Sequence, residues 1–240
     1  MIGDCIHMLI GGFQKLTLID YPGKVATTVF TIGCNFRCSF CHNPDLIKPT
    51  PEMIAIGKEN EKIFFDFLKK RRGLLDGVCV TGGEPTLQPD LIPFLERIRS
   101  MGFLVKLDTN GLKPEVLREV LKRKIVDHIA MDVKHAPEKY ASAMGVEIDM
   151  EKIQESVEII KKSGLPYEFR TTVVPGIHTE EDFDAIGQWI RGTKNYYLQP
   201  FRPDVVFDSK VRDEALGKTL DFEDIKKRLK KYGIDAVIRG

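Results

Sequence analysis

Apolar and polar positions follow two rhythms along this chain. Residues 25–32 (V-A-T-T-V-F-T-I) are rich in β-branched side chains and read as a strand that ends at Gly33. Residues 59–72 place Ile63, Phe64, Phe67 and Leu68 at helical spacing. The two patterns then alternate. Strands are expected at 77–81, 103–108, 127–133, 167–174 and 196–198, with a last one at 236–238. Helices are expected at 91–101, 114–124, 149–163, 180–191 and 222–232. Pro114 suits a first helical turn, where its missing N–H would have no partner anyway, and Gly164 suits a helix end. Such alternation implies parallel strands joined by right-handed crossovers. The expected fold is therefore α/β: a partial (β/α)6 barrel of parallel strands, a single domain over residues 1–240, with a short extra C-terminal strand. Residues 1–24 are then an N-terminal extension and residues 33–50 a loop. No long polar linker, repeat or low-complexity tract divides the chain.

Composition narrows the class. The 240 residues are 42% hydrophobic and 30% charged, as in an ordinary globular protein large enough to bury its own core. A formal net charge of +1 gives no global field for nucleic acid or anionic lipid, so neither is expected as a partner. No apolar run approaches the ~18–20 residues that span a bilayer. Asp4 stands where a signal peptide would be basic, and no A-x-A-like cleavage site follows. The expected compartment is the cytoplasm, where thiols stay reduced. Five cysteines, three of them clustered, then argue for metal rather than disulfides.

The unusual residues fall at or just past strand ends. Cys34, Gly82-Gly83-Glu84, Asp108-Thr109-Asn110 and the pair Asp132 and Lys134 all follow expected strands. In parallel α/β architectures that end hosts the active site. One such loop could be an ordinary turn; four together indicate a site.

Cys34, Cys38 and Cys41 form C-N-F-R-C-S-F-C-H-N, a C-x3-C-x2-C spacing one thiol short of a closed four-thiolate site. Three readings compete. Zinc with His42 as fourth ligand would require adjacent Cys41 and His42 to reach one ion, and no second knuckle of Cys or His exists. Covalent haem matches Cys38-Ser39-Phe40-Cys41-His42, but it leaves Cys34 and the glycine loops without a role. A [4Fe–4S] cluster on three thiolates leaves one iron open to a chelating ligand, such as the amine and carboxylate of a sulfonium cofactor.

These residues resemble the radical S-adenosylmethionine superfamily, whose hallmark is C-x3-C-x2-C with an aromatic residue before the last cysteine, here Phe40. Gly82-Gly83-Glu84-Pro85 matches that family's G-G-E-P, which holds the amino group of S-adenosylmethionine. Two glycines permit close backbone approach, and Glu84 can pair with an ammonium. Asp108-Thr109-Asn110-Gly111 and Asp132-Val133-Lys134 are similar to the D-T-N-G and D-x-K stretches of glycyl-radical-enzyme activases such as the pyruvate formate-lyase activator. By that resemblance Asp108, Thr109 and Asp132 hold a monovalent cation, and Asp108, Asn110 and Lys134 serve the cofactor. Residues 13–23 (F-Q-K-L-T-L-I-D-Y-P-G) are similar to the activases' D-G-P-G stretch, with Tyr21 in place of the first glycine, so Asp20 is expected at the substrate. With C-H-N-P-D after the cluster, the whole chain resembles the anaerobic ribonucleoside-triphosphate reductase activating proteins. Arg170, followed by T-T-V-V-P-G, matches an activase segment that lines the substrate channel; a salt-bridged strand arginine is the alternative.

The implied function is reductive cleavage of S-adenosylmethionine, with the 5′-deoxyadenosyl radical generating a glycyl radical on a partner enzyme. The implied partners are the anaerobic ribonucleotide reductase large subunit and a low-potential electron donor such as flavodoxin or ferredoxin. Alternatives are another glycyl radical enzyme, a small-molecule substrate as in the 7-carboxy-7-deazaguanine synthases, and a zinc-binding interaction module. Elsewhere, Cys79 reads as core and Cys5 as incidental. His7, His128 and His178 show no ligand spacing, and His135, just past the D-x-K stretch, reads as a turn residue, with a place facing the site as the alternative. The basic runs 69–72 and 226–231 read as solvated helix ends, and Trp189, with Ile186 and Ile190, as helix core.

Overall fold

Every strand expected from the alternation forms, and one more precedes them. A computed structural model describes residues 8–204 and 206–239, so Cys5 and His7 lie outside the described residues. The added strand, β1 (Ile10–Thr17), pairs antiparallel with β2 (Ala26–Thr31). It lies in what was expected to be an extension, and it makes the sheet mostly rather than wholly parallel. Its two glycines and irregular burial hide the period of two that marks a half-buried strand. Residues 18–25 form the turn of this hairpin.

Helix α1 (Pro51–Lys70) begins eight residues before the expected start, taking residues 51–58. Thr50 caps it, its hydroxyl accepting from Met53 N–H at 3.3 Å, and Pro51 occupies the first turn. Phe64, Phe65 and Leu68 form its buried face, whereas Ile63 is exposed. The chain continues through β3 (Gly77–Gly82), α2 (Leu91–Ser100), β4 (Leu104–Thr109), α3 (Pro114–Arg123) and β5 (His128–Asp132). Then come α4 (Tyr140–Met144), α5 (Met150–Lys162), β6 (Tyr167–Val173), α6 (Asp182–Trp189), β7 (Tyr196–Pro200), α7 (Ser209–Ala215), α8 (Phe222–Lys230) and β8 (Val237–Ile238). The short helices α4 and α7 are additions to the expected set. One and two turns are too brief for a helical period to show.

These elements make an α/β fold of two compact units. The first contains described residues up to 35, then 45–109 and 113–129; the second contains 36–44, 110–112 and those from 130 onward. The division runs through the cysteine loop and through β5 rather than through a linker. In the first unit β2, β3 and β4 pair in parallel and in chain order. Phe13, Phe64, Phe65, Phe67 and Phe94 form its aromatic core, with ring centroids 5.1–5.9 Å apart. Phe64, Phe65 and Phe94 are buried, each contributing roughly 1.5–3 kcal/mol, whereas Phe13 and Phe67 are half-buried. In the second unit β6, β7 and β8 pair in parallel, again in chain order. Ile153, Val157 and Ile160 of α5 and Ile186 of α6 are fully buried there. Trp189 is half-buried and meets Tyr140 edge-on. No helix among the described residues is long and apolar enough to cross a membrane.

Candidate active site

The first unit carries Cys34 and the strand-end stretches at 82–84 and 108–109. β2 ends at Thr31, and the chain turns through Gly33 into Cys34. Gly33 N–H donates to Leu46 O at 2.7 Å and Cys34 N–H to Ile47 O at 3.1 Å, which fixes the root of the cysteine loop. β3 ends beside it at Gly82. Glu84 N–H donates to Gly33 O at 2.8 Å, and Gly83 N–H to Thr31 O at 2.8 Å. A Cβ on Gly83 would stand 2.2 Å from Gly33 O, and one on Gly82 2.2 Å from Thr31 N. The pair Gly82-Gly83 is therefore required by the approach of two main chains. It sets the glycine loop directly against the residue before Cys34.

Glu84 is buried, and its side chain is aimed by neighbours. Oε1 accepts from Thr86 N–H at 3.0 Å, from the Thr86 hydroxyl, and from the Thr109 hydroxyl at 2.8 Å. The 3-10 turn at Pro85–Leu87 is thus capped by Glu84. Thr109, expected at a cation, joins the end of β4 to this carboxylate. Two residues back, Lys106 is completely buried, its Nζ 2.7 Å from Asp108 Oδ1. Cys79 Sγ lies 3.6 Å from the same oxygen and 3.9 Å from Lys106 Nζ. Cys79 is fully buried, as a core residue should be, yet it touches a site carboxylate. Lys106 was missed in the sequence. The signal was there: residues 106 and 108 share one face of a strand.

Asp20 sits in the β1–β2 turn, where its Oδ2 accepts from the Thr28 hydroxyl and its N–H donates to Thr17 Oγ1. Tyr21 is buried with its ring against Gly77, where a Cβ would come within 2.9 Å of it, and edge-on to His128. Burial pushes its phenol well above the usual range, with Asp127 adding to the shift. Leu16, Leu18 and Ile19 next to it are exposed by 55%, 68% and 75%.

The second unit carries Cys38, Phe40, Cys41, Asn110, Asp132, Lys134 and Arg170. Cys41 N–H donates to Cys38 O at 3.1 Å, giving the loop a tight turn, and Cys38 Sγ lies 3.3 Å from Met144 Sδ of α4. Phe40 is buried and meets the His178 ring edge-on at 6.4 Å. His42 makes its contacts with residues 201 and 202. Its Nε2 is 3.1 Å from Arg202 O and its ring stacks on Phe201, and burial lowers its pKa. Asn110 Oδ1 accepts from Leu112 N–H at 3.1 Å, closing the turn after β4.

Asp132 ends β5 between two cations, 2.8 Å from Lys134 Nζ and 2.8 Å from Arg170 Nε. Burial opposes its charge, yet Arg170 and Lys134 hold the carboxyl well below the usual range. Lys134 is likewise opposed by burial and held high by Asp132 and Cys38. Arg170 is salt-bridged on its strand, and its Nη1 also lies 3.7 Å from Glu168, which Arg239 grips bidentately at 2.9 Å. Behind Lys134 two buried histidines stack at 4.5 Å. His178 Nε2 is 3.0 Å from Lys134 O, and Val174 N–H donates to His178 Nδ1 at 3.1 Å. His135 Nδ1 accepts from Ala136 N–H at 2.7 Å, and its Nε2 is 3.1 Å from Ile177 O. Each ring is thereby a neutral Nε2–H tautomer. His135 is no ordinary turn residue; with His178 it clamps the main chain after Asp132.

Cys34 belongs to the first unit and Cys38 and Cys41 to the second, and among the described residues no group of three His, Cys, Asp or Glu is gathered as a metal site. The donor chemistry still fits an iron–sulfur cluster. Three thiols on one short loop are soft ligands, and the close approach of Gly83 to Gly33 fixes the main chain beside the first of them.

Comparison with known proteins is consistent with this. The Radical SAM superfamily model matches residues 28–190. A protein of Methanocaldococcus jannaschii, provisionally named a glycyl-radical enzyme activating enzyme, is 34% identical over 96% of this chain and 95% of its own. The pyruvate formate-lyase-activating enzyme of Clostridium pasteurianum is 29% identical over 93% of this chain and 95% of its own. Among solved structures, a domain of pyruvate-formate lyase-activating enzyme from Bacteroides vulgatus superposes with a TM-score of 0.53 at 21% identity, over 68% of this chain and 99% of that one. Streptococcus suis SuiB bound to S-adenosylmethionine superposes at 0.56 and 14% identity, over 90% of this chain and 46% of that one. At these identities the structures speak for the fold alone.

Proposed function

Given that the chain belongs to the Radical SAM superfamily, as a glycyl-radical enzyme activating enzyme, we propose that the enzyme it activates is the anaerobic ribonucleoside-triphosphate reductase. The family's cofactors are a [4Fe–4S] cluster and S-adenosylmethionine. When bound, they supply one-electron cleavage of a sulfonium carbon–sulfur bond and, through it, hydrogen abstraction from a glycine Cα.

In this reading Cys34, Cys38 and Cys41 hold the cluster. The main chain at Gly82 and Gly83, with Pro85 stiffening the turn, receives the cofactor's amino end. Glu84, oriented through Oε1 by Thr86 and Thr109, is the carboxylate for that amino group. Lys134, held in its charged form by Asp132 at 2.8 Å, offers an ammonium to the cofactor's carboxylate. Asn110, with Asp108, shapes the turn beside it. Buried Phe40 excludes water. The electron arrives from a flavodoxin- or ferredoxin-like donor, in the cytoplasm.

The observation that supports this partner is the turn at 18–25. Tyr21 replaces the first glycine of the pyruvate formate-lyase activators' D-G-P-G, and here its ring is buried against Gly77. A glycine could supply no such anchor. The turn is therefore built differently, and it presents Asp20 beside exposed Leu18 and Ile19. A differently built turn suits a different glycine loop. Pyruvate formate-lyase is the second reading, favoured by the Clostridium pasteurianum relative. The test mixes the reconstituted, reduced protein and S-adenosylmethionine anaerobically with each enzyme and records EPR. A glycyl radical doublet on the reductase is expected. A doublet on pyruvate formate-lyase instead would transfer the assignment.

A further inference from the structure

We infer that Lys106 is a built-in counter-cation of the cofactor site and stands in for the monovalent metal ion that the resemblance assigns to Asp108. The inference rests on the family membership and on placing Asp108 at the cofactor.

Lys106 and Asp108 lie two residues apart on β4, so both side chains leave the same face of the strand. Lys106 is completely buried, and its Nζ is 2.7 Å from Asp108 Oδ1. A buried ammonium without a carboxylate is costly, so each charge of this pair stabilises the other. A potassium or sodium ion on Asp108 would then share one carboxylate with an ammonium already in contact with it. Two cations on one anion, away from water, repel each other. The polarisable Cys79 Sγ also lies close, 3.9 Å from Lys106 Nζ and 3.6 Å from Asp108 Oδ1. It is a soft atom that suits an alkali ion poorly.

Asp132, the other carboxylate assigned to the ion, is treated the same way within its own unit. Lys134 and Arg170 each approach it to 2.8 Å. Arg170 also lies 3.7 Å from Glu168, which Arg239 grips in turn, so Asp132 sits in a set of ion pairs already made. Each candidate carboxylate is thus already neutralised by a covalently attached cation, which cannot diffuse away and does not depend on the salt in the medium.

The deciding experiment measures equilibrium binding of S-adenosylmethionine to the anaerobically reconstituted holoprotein, in potassium, sodium or tetramethylammonium chloride at equal ionic strength. Affinity is expected to agree within about threefold across the three salts. A larger loss in tetramethylammonium overturns the inference. Lys106→Met supplies the second arm. Its affinity should fall about tenfold or more in tetramethylammonium and recover in potassium, because the ion can then occupy the vacated place. Binding by the variant that is unchanged in every salt, or weakened without rescue by potassium in protein shown by its melting curve to be folded, also overturns it. Should Lys106→Met not fold, Lys106→Gln takes its place, and if neither folds the wild-type salt comparison decides. Failure to bind S-adenosylmethionine in any salt would instead count against the cofactor assignment itself.

Discussion

Gly83 shows how much chemistry one missing atom can carry. Its main chain lies so close to Gly33 that a methyl group would collide with carbonyl oxygen rather than with a side chain able to swing away. Gly83→Ala should destabilise the fold by roughly 1–3 kcal/mol, the usual cost of overpacking. It should also weaken S-adenosylmethionine binding, since the strand end must retreat from the root of the cysteine loop. Urea unfolding together with equilibrium binding checks this; a variant equal to wild type in both would remove the close-approach argument. The glycine pair was legible from its place after a strand. Lys106 was less so, because a lysine amid apolar strand residues looks like a charge facing water until its neighbour Asp108 is seen to share its face.

At the scale of elements, strands β2 to β8 and the longer helices were legible because their periods run over five or more residues in most cases. The early start of α1 was not, since residues 51–58 include Gly57 and exposed Ile54 and Ile56, which blur the apolar stripe. The cap decides that start. Thr50→Ala should remove the hydrogen bond to Met53 N–H and cost about 1 kcal/mol, with no change in cluster content. Thermal melting measures the first effect and iron analysis the second; a loss of cluster would mean that this end of α1 also shapes the loop before it. The β1–β2 hairpin was hidden for another reason. Its turn is held by Tyr21 packing on Gly77, a contact between residues far apart in sequence.

For the whole molecule, acid should be the weak side. Burial and the neighbouring His135 lower the pKa of His178 from 6.5 to about 4, and burial lowers His42 and His135 as well. Between pH 6.5 and about 4 the unfolded chain binds more protons than the folded one, so stability is fully present above 6.5 and falls as the pH drops through that window. His178 alone corresponds to a loss on the order of 3 kcal/mol. Urea midpoints measured from pH 7.5 down to 4.5 should fall steadily, with a shallower slope in His178→Gln. A flat profile would show that the histidine stack is not kept neutral.

What the sequence by itself determined is everything carried by local spacing: the α/β alternation, the C-x3-C-x2-C loop, and the placing of Gly82–Glu84, Asp108 and Asp132 past strand ends. Periodicity and ligand spacing are properties of neighbours in the chain, so they survive without coordinates. Only the tertiary structure decided which charges meet. It joined Thr109 to Glu84, enclosed Asp132 between Lys134 and Arg170, gave Asp108 an internal ammonium, and stacked His135 on His178. Electrostatic partnership depends on distance through space and on exclusion of water, and neither quantity is written in the order of residues.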